Sequence, residues 1–305
     1  MEGLHDGSVA QRLNVSTIRA LPVAVPPRAQ QDAIANVLGA LDDKIELNRK
    51  MNRTLEELGS ALFKSWFVDF DPVVAKRDGK TPVGVPADAL HLFPSHFEDS
   101  ALGPIPKSWR AGTLGEVAAN VRSGTSPNDI GSDVAYIGLE HMPQRSICLD
   151  AWGNAGQVAS GKFRFKQGDF LFGKLRPYFH KVGVALVDGV CSTDILVLNP
   201  TKRSYYAIVL GHISSPEFID YNDASSGGTR MPRTSWDVMS RYQIAIPPAE
   251  TADVLNEITT PLLQQMKANV EETRTLAQVR DLLLAPILSG EITLKAAEKT
   301  VAEVV

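Results

Sequence analysis

Six histidines, at positions 5, 91, 96, 141, 180 and 212, are scattered with no H-x-x-x-H pair, and Cys148 and Cys191 stand 43 residues apart. A zinc site needs ligands at short, fixed spacings to close a tetrahedron, so no metal site is expected. There is no G-x-S-x-G elbow, no phosphate-cradling glycine loop and no dinucleotide fingerprint. The run Cys191-Ser192-Thr193-Asp194 holds nucleophile types, but no base is identified beside it. Its apolar flanks, Val187, Val190, Ile195 and Leu196, read as the start of a strand. Asn199-Pro200 is followed by Thr201-Lys202, where an adenine-methyltransferase motif requires an aromatic residue, and no methyl-donor loop precedes it. The expectation is a chain with no catalytic residues and no cofactor of its own.

What does concentrate is positive charge among aromatic rings. Residues 162–182, KFRFKQGDFLFGKLRPYFHKV, hold Lys162, Arg164, Lys166, Lys174, Arg176 and Lys181 against one acid, Asp169. Phe163, Phe165, Phe170, Phe172, Tyr178 and Phe179 lie between them. Such cations neutralise phosphates, and arginine can also bond guanine O6 and N7. Alternation in KFRFK predicts a strand with Phe163 and Phe165 on one face and the cations on the other. Taken alone, the pattern fits a half-buried strand with a solvated basic face equally well. A second basic segment, Gly227-Gly228-Thr229-Arg230-Met231-Pro232-Arg233, joins glycine freedom to two arginines. Backbone N–H groups of such a loop could approach a phosphate closely; a plain surface turn is the alternative. The candidate DNA-facing set is therefore Lys174, Arg176, Tyr178, His180, Lys181, Arg230 and Arg233. Glu140 and His141 join it because they follow the strand-like YIGL at a loop.

These residues must be held by something, and the chain repeats itself around them. LPVAVPP (21–27) matches YQIAIPP (242–248), and the offset of 221 persists without a gap: Asp32 with Asp253, Leu41 with Leu262, Asn48 with Asn269, and Arg53-Thr54-Leu55 with Arg274-Thr275-Leu276. Each copy predicts a short strand (Val23, Val25; Ile244, Ile246), then a Pro-Pro pair suited to a first helical turn, then a long helix. Ile34, Leu41, Asn48, Leu55 and Leu62 recur every seven residues, as do Leu255, Leu262, Asn269, Leu276 and Leu283. The other seam position of the first copy has Leu38 and Ile45, then decays to Asn52 and Gly59 before Trp66, while Val37, Met51 and Leu58 widen the stripe. Five such heptads predict helices of coiled-coil type. Pro286 is expected to end the second helix, with Gly290 just beyond. The segments 28–66 and 249–287 are of equal length, so an antiparallel pair brings its midpoints together. Asn48 and Asn269 lie within one residue of those midpoints and are predicted to meet there and fix the register. The alternative is that both lie at the seam's edge and bond water.

The chain thus divides into residues 1–27, repeating a domain's tail; a first long helix, 28–70; a Pro/Gly-rich linker, 71–108; a mixed α/β domain, 109–248; a second long helix, 249–290; and a tail, 291–305. The fold class is α+β. Within 109–248, strands are expected at 134–139, 169–173, 182–187, 194–198 and 242–246, and helices near 204–213 and 216–223. Phe93, Phe97 and Trp109 predict a linker that packs down rather than swings free.

Composition sets the outer bounds. Hydrophobic residues at 44% and charged residues at 22% are ordinary for a globular chain. No apolar run is long enough to span a membrane and no secretory signal is evident. Two cysteines make no disulfide framework, which fits a reducing cytoplasm. The net charge of −4 hides an uneven distribution: residues 104–248 carry +3, residues 28–100 carry −3 and residues 249–305 carry −4.

Four stretches together resemble the specificity subunit of Type I restriction–modification systems. They are ALDDKIELNRKMNRTLEELGSALFKSWFVDFDPV, FEDSALGPIPKSW, GDFLFGKLRPYFHKV, and GGTRMPRTSW followed by IAIPP. The resemblance implies two target recognition domains alternating with two helical regions, each domain reading one half of a split site in double-stranded DNA. It implies that the helices dock DNA adenine methyltransferase (M) subunits, which use S-adenosylmethionine, and that restriction motor-nuclease (R) subunits join them. The specificity subunit itself does no chemistry. This chain departs from that pattern: residues 7–27 match only the tail of a recognition domain, so a shortened form with one complete domain is expected. A second copy of the chain is then a candidate partner. Two other classes stay open: a coiled-coil interaction scaffold that binds no DNA, which would show no salt-dependent DNA affinity, and a self-contained nuclease or methyltransferase, which would modify DNA alone.

Overall fold

In the computed structural model, which describes residues 14–22, 25–226 and 231–304, both heptad segments are helices: α2 (Arg28–Phe67) and α8 (Ala249–Ser289). Of the short strand expected at Val23 and Val25, Val23 lies outside the described residues and Val25 is exposed and not in a strand. The chain forms two compact units, one of Met1–Ile45 with Arg274–Val305 and one of Glu46–Thr273.

In the first unit, Ile34, Val37, Leu41 and Ile45 of α2 pack against Leu276, Leu283 and Ile287 of α8, and α9 (Leu294–Ala302) closes the cluster with Ala297 and Val301. A short helix, α1 (Val15–Arg19), lies on the same side of the division. Arg280 bridges the helices, with Nη1 2.8 Å from Asp42 Oδ1. Pro286 does not end α8, contrary to the sequence expectation; the helix runs on to Ser289. Proline lacks one N–H, and the carbonyl this frees belongs to Leu282, a residue 74% exposed, where water can serve it. The stop comes at Gly290, whose φ of +75° is a left-handed conformation suited to glycine.

In the second unit the helices lie antiparallel: Asn48 reaches Asn269, Asn52 reaches Met266, and Phe63 shares a core with Leu255. The stripe here is narrower than the sequence suggested, because Met51 and Leu58 are 37% and 45% exposed. The segment after α2 is not structureless. It carries α3 (Asp71–Arg77) and a hairpin of β1 (Phe97–Ser100) with β2 (Gly103–Pro106). Its aromatic residues join those of α2: Trp66 meets Phe93 edge-on at 5.4 Å and Phe67 stacks on Trp109 at 5.4 Å.

The mixed domain holds β3 (Arg110–Thr113), α4 (Leu114–Val117), β4 (Ala118–Asn120), β5 (Gly124–Thr125), β6 (Ala135–Ile137), β7 (Gly153–Asn154), β8 (Lys162–Phe165), β9 (Phe170–Gly173), β10 (Val182–Val184), β11 (Gly189–Cys191) and β12 (Ile195–Pro200). Helices α5 (Tyr206–Ile213), α6 (Pro216–Ala224) and α7 (Trp236–Met239) follow, and β13 (Gln243–Ile246) leads into α8. One sheet runs β10-β9-β12-β4 and is antiparallel; a second runs β5-β8-β11-β6-β7, with β11 and β6 parallel; β13 pairs with β3. Strand β9 is buried on both faces, which is why FLF reads as a continuous apolar run. Phe170 and Phe172 pack with Val209 and Phe218 of α5 and α6, while Leu171 packs with Ile137, Phe165 and Val197. Among the described residues no helix is long and apolar enough to cross a membrane.

Candidate nucleic-acid interface

Residues 174–181 connect β9 to β10 and carry most of the predicted DNA-facing side chains. Their shape is set by backbone geometry at the turn Pro177–Phe179. Arg176 on one side and His180 on the other adopt left-handed φ values of 51° and 50°. Such a conformation costs a non-glycine residue about 1–2 kcal/mol and persists only where surroundings over-determine it. Here they do. Arg176 N donates to Pro232 O at 2.8 Å, Lys174 N to Asp194 O at 2.9 Å, and Thr234 N to Lys174 O at 3.0 Å. Leu175 and Arg233 form an antiparallel bridge between the same segments. His180 N donates to Pro177 O at 2.8 Å and Arg145 N to His180 O at 2.9 Å. Thr234 is buried and its hydroxyl donates to Asn222 Oδ1 at 2.6 Å, which anchors the neighbouring segment to α6.

This clamp brings Lys174, Arg176 and Arg233 onto adjacent backbone. Lys174 is half-buried. Arg176 sets its guanidinium 5.9 Å from the Phe179 ring, and its Nε is buried with no hydrogen-bond partner among the described residues. Tyr178 is 45% exposed and meets Phe179 edge-on at 4.8 Å. Arg233 Nη2 lies 3.2 Å from Asp194 Oδ1. Arg230 falls outside the described residues, as do Gly227, Gly228 and Thr229. His180 is buried, with Nε2 2.9 Å from Ser214 O, and burial lowers its pKa so that it favours the neutral form. Lys181 donates through Nζ to Leu139 O, tying the hairpin to the turn that carries Glu140 and His141. There His141 Nδ1 accepts from Gly138 N at 3.0 Å and the ring meets Tyr136 at 5.7 Å, while the Glu140 side chain is exposed.

The preceding strand differs from its sequence pattern. Lys162 was expected on a solvated face opposite the phenylalanines; it is instead buried, with Nζ 2.7 Å from Ser160 Oγ and 5.8 Å from the Tyr136 ring centre. Burial along β8 runs buried, half-buried, exposed, buried from Lys162 to Phe165, so it does not alternate with a period of two. Arg164 is exposed yet donates to Thr125 Oγ1 at 2.9 Å and Asp129 O at 2.8 Å, and Lys166 pairs with Asp188 at 2.7 Å.

At the helix pair, Asn48 and Asn269 are both buried, at 2% and 3% exposure. Asn48 Nδ2 lies 3.5 Å from the Asn269 carbonyl and donates to Glu272 Oε2 at 2.7 Å. The side-chain bond of Asn269 runs elsewhere, from its Nδ2 to Asn52 Oδ1 at 2.8 Å. Asn52 in turn donates to Cys148 Sγ and to Met266 O, each at 3.4 Å. One turn further along α2, Glu56 Oε1 accepts from Ser146 Oγ at 2.6 Å and from Cys148 N at 3.1 Å. Sequence reasoning passed over Asn52 and Glu56. The signal available was a polar residue at a seam position where Leu38 and Ile45 stand in the preceding heptads. Cys148 and Cys191 are buried and unpaired, and burial pushes both thiols up to about 12, which favours the protonated thiol at neutral pH.

No family model matches the chain. Its sequence is 24% identical over 329 residues to the HindI Type I restriction enzyme specificity subunit of Haemophilus influenzae, covering 92% of this chain and 71% of that protein. The MjaIX specificity subunit of Methanocaldococcus jannaschii is 24% identical, covering 96% of this chain and 65% of its own length. The EcoDI specificity subunit of Escherichia coli is 22% identical, with 94% and 66% covered. Among solved structures, the S subunit of a Type I restriction–modification system from M. genitalium shares the fold, with a TM-score of 0.52 at 16% identity over 94% of this chain and 68% of that one. The chain spans about two thirds of the length of the relatives it matches.

Proposed function

We propose that this chain, a relative of Type I restriction specificity subunits, reads one half of a split DNA site through the 174–181 hairpin and the adjoining 232–234 segment, and performs no catalytic step itself. The observation that carries the reading is the backbone clamp that gathers Lys174, Arg176 and Arg233 on neighbouring segments, in a chain whose relatives are specificity subunits. Arginine and lysine held in fixed positions neutralise phosphates, and a rigid arginine fork can read guanine. Arg176 suits the second task, since Phe179 supports one face of its guanidinium. The helix pair docks the adenine-N6 methyltransferase subunits, which bring S-adenosylmethionine, and restriction subunits complete the complex. A second copy of the chain would bring a second recognition domain to the other half-site.

The test is fluorescence anisotropy of the full chain with a random-sequence duplex, over a range of salt concentration. Each phosphate contact removed by Lys174→Ala, Arg176→Ala or Arg233→Ala should flatten the log–log salt dependence by about 0.9. If all three replacements leave both affinity and slope unchanged, the chain is a helix-pair scaffold and the DNA reading fails.

A further inference from the structure

We propose that Asn52 and Glu56 are positioning residues: through the 145–148 loop, they hold the basic hairpin at a fixed station along the helix pair. The proposal rests on the DNA reading above for its purpose, though not for its geometry. A continuous set of hydrogen bonds joins the two places. In the seam, Asn269 Nδ2 donates to Asn52 Oδ1 at 2.8 Å. Asn52 Nδ2 bonds the Met266 carbonyl of the opposite helix and Cys148 Sγ of the recognition domain, both at 3.4 Å. Glu56 Oε1 takes Ser146 Oγ and Cys148 N. Arg145, next in the loop, adopts a left-handed φ of 56° and donates from its N to His180 O, inside the hairpin, at 2.9 Å. His180 is tied on its other side to Ser214 O.

Packing explains why these bonds matter. Beside them lies a cavity of about 410 Å³, lined on the helix side by Leu55, Phe63 and Met266 and on the domain side by Ile147, Val182 and Leu210. Beside that space the apolar contact is made by Met266 and Val270 of the helix with Cys148 and Leu186 of the domain, and apolar contact is non-directional. Directional bonds to a carboxylate do not tolerate sliding, because a shift of 1 Å breaks them. Asn52 is 7% exposed, so any movement that strips its partners leaves a buried amide unpaired. For a subunit that reads a split site, this fixes where the hairpin meets the duplex.

Amide hydrogen exchange on the full chain, read by mass spectrometry without DNA, tests the linkage. Glu56→Ala and Asn52→Ala should each speed exchange at least tenfold in 145–148 and in 174–181, while residues 195–200 of β12 keep their protection. Glu56→Gln, which retains an acceptor for Ser146 and Cys148, should stay within threefold of the wild type. Ser146→Ala removes the hydroxyl's bond to Glu56 Oε1 and its weaker one from Cys148 N, leaves Glu56 bonded to Cys148 N, and should produce a smaller rise in the same two regions. The proposal is overturned if 145–148 loosens while 174–181 does not, if β12 loosens in step, or if Glu56→Gln behaves like Glu56→Ala. Anisotropy with the random-sequence duplex separates the two readings: normal exchange coupling with no salt-dependent binding would refute DNA recognition and leave the linkage standing.

Discussion

Replacing Asn52 and Asn269 by leucine, singly and together, should reveal a coupling that Asn48 and Asn269 do not share. The Asn52–Asn269 contact is between side chains, Nδ2 to Oδ1 at 2.8 Å, with both residues at most 7% exposed. Asn52→Leu leaves Asn269 Nδ2 without this acceptor and Asn269→Leu leaves Asn52 Oδ1 without this donor, and an unsatisfied buried polar group costs about 1–3 kcal/mol. The double change removes donor and acceptor together, so that penalty is not incurred twice. The expected coupling is therefore about 1–2 kcal/mol. Asn48 instead approaches the backbone carbonyl of residue 269 and bonds Glu272, neither of which is lost in Asn269→Leu. Its coupling with Asn269 should stay below about 0.5 kcal/mol. Urea unfolding followed by tryptophan fluorescence measures both cycles, since Trp66 and Trp109 are buried in the same unit. Additive effects for Asn52 with Asn269, or a larger coupling for Asn48, would refute this assignment of partners.

Burial pushes the His212 pKa down to about 3, so between pH 6.5 and 3 the unfolded chain takes up a proton that the folded one refuses. Stability should fall as pH drops, and between pH 7 and 5 the wild type should lose about 2 kcal/mol more than His212→Leu in urea melts at the two pH values. A Cβ added at Gly211 would stand 2.3 Å from the Phe63 ring, which is buried against His212, so Gly211→Ala should cost about 1–3 kcal/mol by thermal unfolding. Phe63→Leu in that background should recover part of it. Lys181 spends its ammonium on the Leu139 carbonyl; Lys181→Met should therefore leave the salt slope of DNA binding within about 0.3 of wild type, well short of one phosphate contact.

The long helices were legible because a seven-residue apolar repeat is a property of local sequence, and α2 and α8 cover it. Where that repeat weakens, sequence reasoning failed in an instructive way. Met51 and Leu58 were assigned to the apolar stripe on hydrophobicity, yet both face out, while Asn52 faces in. The helix phase carries Asn52 inward, and its amide is satisfied by Met266, Asn269 and Cys148, which lie 96 or more residues away in the chain. The same limit hid the partner of β13. Its apolar residues Ile244 and Ile246 announce a strand, but β3 (RAGT) has no alternation to announce the pairing.

The candidate interface divides along similar lines. Charge density singled out the 174–181 hairpin, but could not say which cations are already engaged. Lys162, Arg164 and Lys166 all satisfy partners inside the domain, and Lys181 holds a neighbouring turn. Charge counted along a sequence therefore overstates what is free to meet a polyanion. What distinguishes Arg176 is backbone and environment together: a left-handed φ enforced by Pro232, a ring beneath its guanidinium and a buried Nε left without a partner among the described residues. Such an arrangement is costly in the free protein. The clamp carries the backbone strain, and the proposed contact with DNA would fall to the guanidinium that the Phe179 ring supports.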